Sequence, residues 1–193
     1  MSAGRILAIG TSMGGFRALR EVLSAFPETF PLPIAVVQHR RDDEHGRLVE
    51  LMQPHTPLTV REPVDKDEMT PGRVYLAPTG YHLLVEPGWL SLSTEAPVCH
   101  ARPSIDVLFE SAAISYGPGV IAVVLTGASV DGAAGAARVA AGGGTVVVQD
   151  PADAERPEMP EAARSAVPGC QLRPLQALGP YLAGLASTEV VNT

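Results

Sequence analysis

Cysteine is scarce in this chain of 193 residues: Cys99 and Cys170 are the only two, far apart and in no CxxC arrangement. That excludes a disulfide framework and argues against a paired-thiolate zinc site. Basic charge is also in deficit, with 14 Lys and Arg against 21 Asp and Glu and a net charge of −7. Such a surface lacks the electrostatic grip that nucleic acid or an anionic membrane requires, so neither is expected as a partner. No run approaches the ~18 consecutive apolar residues of a membrane span, and the first residues do not read as a basic, apolar and small-residue export signal. No membrane insertion is expected, and a cytoplasmic location fits best. Repeats and low-complexity tracts are missing too. The length is that of one domain, which can bury roughly 70% of its extended-chain surface without staples.

What is present is an alternation of short apolar runs with helical segments. Ile6 to Ile9 reads as a strand, followed by a helix from Gly15 to Phe26 whose Leu19, Val22, Leu23 and Phe26 recur at helical spacing. Ile34 to Val37 is a continuous apolar strand of the kind buried on both faces of a parallel sheet. A polar loop from Arg40 to Gly46 leads into a helix containing Leu48, Val49, Leu51 and Met52. Val74-Tyr75-Leu76, His82 to Val85 and Leu90 to Leu92, separated by Pro and Gly turns, read together as an antiparallel insertion. A helix then runs from Ile105 to about Tyr116 with Ser104 as its N-cap. Val120 to Leu125 and Thr145 to Val148 are further strands, flanking a helix from Ala133 to Ala141 that Gly142-Gly143-Gly144 closes. The pattern predicts a single-domain α/β fold, a mostly parallel doubly wound sheet with helices on both faces and a small antiparallel hairpin insertion.

In such sheets ligands bind beyond the carboxyl ends of the strands. Gly10-Thr11-Ser12-Met13-Gly14 lies between the first strand and the first helix, where a serine between glycines can be lifted out with its hydroxyl exposed. Small residues at such a turn equally serve close helix packing or anion binding. His39 follows the second strand and Asp131 the Val120 strand; alone, each is an ordinary loop or turn residue. Together, a hydroxyl, an imidazole and a carboxylate at equivalent strand ends are the parts of an acyl-transfer triad.

Four separated blocks carry a more specific likeness: Ala8 to Gly15, Val36-Val37-Gln38-His39, Arg102 to Phe109, and Val124-Leu125-Thr126-Gly127 with Asp131-Gly132. In this order they resemble the catalytic domain of the chemotaxis receptor protein-glutamate methylesterase family, CheB, over nearly the whole chain. The resemblance implies Ser12 as nucleophile, His39 as its base and Asp131 as the group orienting the histidine. It also implies hydrolysis of methyl esters on glutamate side chains of a methyl-accepting chemoreceptor or related signalling protein, with glutaminyl deamidation as a related activity and no cofactor. Backbone N–H groups of the elbow (Met13, Gly14) or of the turn from Gly127 through Ala128 to Asp131 are candidates for binding the oxyanion, and Arg102 for binding a substrate carboxylate or packing on Asp106 or Glu110. The family places a receiver domain before this one. Only five residues precede the first strand here, so the chain resembles the stand-alone branch, unless it is an excised piece.

Three positions depart from the family pattern. Met13 replaces a threonine, Gly127-Ala128-Ser129 replaces Gly-Met-Gly, and Arg40-Arg41 replaces Met-Pro after the histidine. The first two alter the surroundings of the intermediate; the arginines could read acidic neighbours of the target residue or face Asp42 and Asp43. His45, His55, His82 and His100 show no spacing that puts two ligands on one helical face, so no metal site is expected and surface positions suffice for them. Met159-Pro160 resembles a family loop bordering the cleft. Two other readings stay open: a serine esterase or amidase for a different acyl substrate, and a catalytically idle module that docks a signalling partner. Oligomeric state is not readable.

Overall fold

A computed structural model describes residues 4–40 and 47–188. Its main sheet has seven strands in the order β10-β9-β8-β1-β2-β5-β3, every pairing parallel. These are β1 (Ile6–Thr11), β2 (Ile34–Gln38), β3 (Thr59–Arg61), β5 (Arg73–Leu76), β8 (Val120–Val124), β9 (Thr145–Gln149) and β10 (Gln171–Arg173). A second, antiparallel sheet in the order β4-β7-β6 comprises β4 (Asp67–Glu68), β6 (His82–Glu86) and β7 (Trp89–Ser93). Helices α1 (Gly15–Ser24), α2 (Arg47–Met52), α3 (Ile105–Tyr116), α4 (Ala133–Ala141), α5 (Glu158–Ala166) and α6 (Leu175–Ser187) complete the layers.

The near-continuous apolar strands are explained by coverage on both sides. Alternate residues of β1 point to opposite cores: Leu7 and Ile9 join Leu19, Leu23 and Leu178 of α1 and α6, whereas Ile6 and Ala8 join Ile105, Phe109 and Ala136 of α3 and α4. All five residues of β8 are buried. Each fully buried Val, Leu or Ile contributes ~1.5–3 kcal/mol by leaving water, so the two central strands carry much of the folding free energy. Arg5, one residue ahead of β1, donates from its guanidinium to the carbonyls of Leu185, Ala186 and Thr188, placing a cation on the exposed end of α6.

One part of the sequence reading needs correction. Val74-Tyr75-Leu76 is not in the antiparallel insertion: β5 pairs in parallel with β2 and β3 in the main sheet. A short apolar run between turns reads alike in either setting, and only its partners decide. The antiparallel sheet is instead completed by the two-residue β4, tied to the main sheet where the Tyr75 hydroxyl donates to the Glu68 carbonyl and accepts from the Thr70 N–H, both at 2.9 Å. It is also tied to α3, whose Ser111 hydroxyl accepts from the Val85 N–H and whose Ser115 hydroxyl donates to the Val85 carbonyl. Among the described residues no helix is long and apolar enough to cross a membrane.

Candidate active site

The chain runs outward from β1 to β2 on one side and later to β8 on the other, so the carboxyl ends of these central strands meet at the place where strand order reverses. Their loops are stitched in register just past the sheet. Leu125 N–H donates to Gly10 O at 2.9 Å, Ser12 N–H to Thr126 O at 3.0 Å and His39 N–H to Thr11 O at 3.0 Å. This stitching puts Ser12 and His39 on one cleft of about 620 Å³, with Arg40, Cys99, Arg102, Ala128 and Ser129 also in its lining. A volume in this range suits a side chain with its flanking groups.

Ser12 sits at the tip of the strand-to-helix turn. Gly14, the N-cap of α1, has φ of 80°, a left-handed conformation that costs little only without a Cβ. The Gln38 amide donates to the carbonyls of Ser12 at 2.7 Å and His39 at 2.9 Å, binding the elbow to the histidine's own loop. Across the cleft, a Cβ added to Gly127 would lie 2.8 Å from the Ser12 Cβ and 2.7 Å from the Met159 methyl. Close approach therefore demands glycine here, and the Met159 thioether packs beside the serine. The Met159 segment is held there by the bond from Met159 N–H to Gly127 O at 2.9 Å.

His39 Nε2 lies 2.8 Å from Asp131 Oδ2. Asp131 is fully buried, and burial alone would raise its pKa. Four donors reverse the sign: the His39 ring, the backbone N–H groups of Asp106 and Ile105, and the Ser104 hydroxyl together hold the carboxyl below the usual aspartate range. An ionised Asp131 has no proton to offer, so Nε2 carries the hydrogen and Nδ1 is left as the basic nitrogen. Ser104 does occupy the N-cap position of α3, but its hydroxyl makes no cap bond. It donates to Asp131, and Asp131 accepts the first N–H groups of the helix in its place.

The arrangement is reciprocal. Asp106, in the first turn of α3, accepts from Gly132 N–H at 2.9 Å and Gly135 N–H at 2.7 Å at the start of α4. Asp131 thus caps α3, the helix that holds Asp106 in its first turn, and Asp106 caps α4, the helix that follows Asp131. Behind them His82, buried rather than on the surface as expected, accepts the Ser104 N–H at Nδ1 and lies 3.0 Å from Ala96 O at Nε2.

The remaining sequence-named residues separate clearly. Gly127 N–H donates to Arg156 O at 3.0 Å, so it is not available as an oxyanion donor. The N–H groups of Met13, Gly14 and Ala128 make no hydrogen bond among the described residues. Among the described residues Arg102 forms no ion pair with Asp106 or Glu110; it donates to the carbonyls of Thr94 at 2.9 Å and Glu95 at 3.0 Å. Arg41, Asp42, Asp43, Glu44 and His45 lie outside the described residues. Cys99, Asp106 and Asp131 offer ligand atoms within 4.8 Å of one another. The two carboxylates instead accept from backbone and side-chain donors, among them the Cys99 thiol, which donates to Asp106 at 3.6 Å. Sequence reasoning missed Ser104 and Asp106 as supports of Asp131, and Gln38 as a brace; the signal available was the Ser-Ile-Asp spacing at the helix start, which reads first as local capping.

Comparison with known proteins places this geometry. A family model described as CheB methylesterase matches residues 7–182. A Leptospira interrogans protein named as a candidate protein-glutamate methylesterase/protein-glutamine glutaminase is 42% identical over 161 residues, 81% of this chain and 82% of that one. The protein-glutamate methylesterase FrzG of Myxococcus xanthus is 39% identical over 92% of this chain, which spans 53% of its length. The crystal structure of the Thermotoga maritima CheB methylesterase catalytic domain superposes with a TM-score of 0.91 at 33% identity, covering 94% of this chain and 98% of that one. The chain belongs to the CheB methylesterase family.

Proposed function

We propose that the chain works as one catalytic domain, a serine hydrolase that removes methyl groups from glutamyl esters on a chemoreceptor or related signalling protein in the cytoplasm. The carrying observation is that His39 shares one cleft with Ser12 while its ring is held from behind by the fully buried Asp131, the three residues following three different central strands. The names of the relatives support the substrate class.

In this reading His39 Nδ1 takes the Ser12 proton as Oγ attacks the ester carbonyl, and Asp131 stabilises the imidazolium through Nε2–H. The carbonyl π bond opens to an oxyanion, which the unengaged N–H groups of Met13 and Ala128 would receive. Collapse breaks the C–O bond to methoxide, the imidazolium returns its proton, and methanol leaves. Water activated by the same ring then splits the glutamyl-serine ester, restoring Ser12 and a glutamate. With ammonia as the leaving group, the same two steps would deamidate glutamine.

Two measurements test this. A fluorophosphonate probe should label the wild type and not Ser12→Ala, and methylated receptor should release methanol with the former only. A folded wild type that neither labels nor releases methanol would favour the idle docking module. Labelling without methanol release would favour an esterase for another substrate. Hydrolysis should fall on acidification, because a protonated ring cannot act as a base; a flat rate from about pH 5 to 8 would remove His39 from that role.

A further inference from the structure

The cleft holds more cationic donor capacity than the described residues use. Among the described residues, five buried side-chain nitrogen or oxygen atoms lack a hydrogen-bond partner, and three of them belong to two arginines lining this cleft: Arg40 Nε, Arg40 Nη1 and Arg102 Nε. The Arg40 side chain is only 5% exposed. Its Nη2 is anchored by Glu62 and by the Ala77 carbonyl at 3.1 Å, which holds the rest of the guanidinium in place. Arg102 bonds only to the neutral carbonyls of Thr94 and Glu95, and it takes part in none of the ion pairs among the described residues. A buried donor without a partner is costly, and an unmatched charge half out of water more so. Both costs disappear if an anionic acceptor enters beside them, since charge-assisted bonds from guanidinium to carboxylate are among the strongest available.

We infer that the cleft contains a carboxylate subsite, formed by Arg102 and Arg40, which takes an acidic side chain neighbouring the scissile ester on the substrate. The inference rests on the glutamyl-ester reading and narrows it to esters in acidic surroundings. Net charge gives it point: on a chain of −7, an acidic segment is repelled overall and needs local cations at the place where it must dock.

The test uses two synthetic peptides carrying the same methyl-glutamyl ester, one flanked by glutamates and one by glutamines, with methanol release as the readout. The ratio of their kcat/KM values on one preparation cancels any difference in the folded fraction. Wild type should favour the acidic peptide roughly tenfold, an advantage that shrinks with rising ionic strength. Arg102→Gln and Arg40→Gln should each bring the ratio toward one, and Arg40→Lys should restore only part of it, since lysine lacks the forked donors. A wild-type ratio of one, or a ratio unmoved in both glutamine variants, overturns the subsite while leaving the esterase intact. Fluorophosphonate labelling of Ser12 without methanol from either peptide overturns subsite and glutamyl-ester substrate together. Absence of both removes the hydrolase reading itself and the subsite with it.

Discussion

Asp131 and Asp106 are two buried carboxylates at two neighbouring helix entrances, and the fold shifts their pKa values in opposite directions. Burial pushes both upward. Asp131 meets four donors, one of them the His39 ring, and ends below the ordinary range. Asp106 meets two backbone N–H groups and a weak thiol, feels the Asp131 charge beside it, and stays above that range. Asp131 is the more deeply buried of the two, so the number and quality of donors, not the loss of water, decides the sign. The anion that faces His39 is the one that the fold surrounds most completely.

Substitutions should separate the two sites. Asp131→Asn is expected to lower kcat for methanol release by about 10³–10⁴, because the amide no longer holds the Nε2–H tautomer. Retention of more than a tenth of wild-type kcat would mean that His39 needs no orienting anion. Asp131→Ala should in addition lower urea stability by roughly 2–4 kcal/mol, as two helix N–H groups and the Ser104 hydroxyl lose their acceptor out of reach of water. An unchanged midpoint would show that water replaces the carboxylate.

A smaller and opposite effect is expected at the second site. Asn at position 106 keeps an oxygen for Gly132 and Gly135 while removing a buried charge, so Asp106→Asn should leave kcat within about tenfold and stability at neutral pH equal or higher. The pH dependence follows from the directions of shift. Asp131, depressed in the fold, contributes stability that is present above the ordinary aspartate value of about 3.9 and lost as pH falls through its lower folded value. Asp106, raised in the fold, contributes stability that is present below the ordinary value and lost as pH rises through its folded value. The advantage of Asp106→Asn should therefore narrow on acidification toward the ordinary range, and a constant gap from neutral pH down to that range would contradict the raised state of Asp106. Least affected should be Cys99→Ser, with a stability change under about 0.5 kcal/mol, since the thiol bond to Asp106 is long and weak. A larger loss would make that sulfur a structural donor after all.

Much of this was legible along the chain. The apolar runs of β1, β2 and β8 announce a covered parallel sheet, and Ser12, His39 and Asp131 declare themselves by following those strands. Less readable was whatever depended on partners distant in sequence. Ser104 looks like a cap because capping is local and common, yet its hydroxyl serves a residue 27 positions away. Gly127 looks like an oxyanion donor until Arg156 O is found on its N–H. Arg102 seems poised for Asp106 or Glu110, one turn along α3, while its actual acceptors lie on the segment after β7.

Order along the polymer therefore determined the layers, the strand ends and which candidate side chains follow them, because hydrophobic period and turn chemistry act over a few residues. Tertiary structure alone decided which carboxylate is starved of protons, and which N–H groups and guanidinium nitrogens are without a partner among the described residues. Those properties depend on how many donors and acceptors converge on one buried point, and that number is set only when distant segments meet.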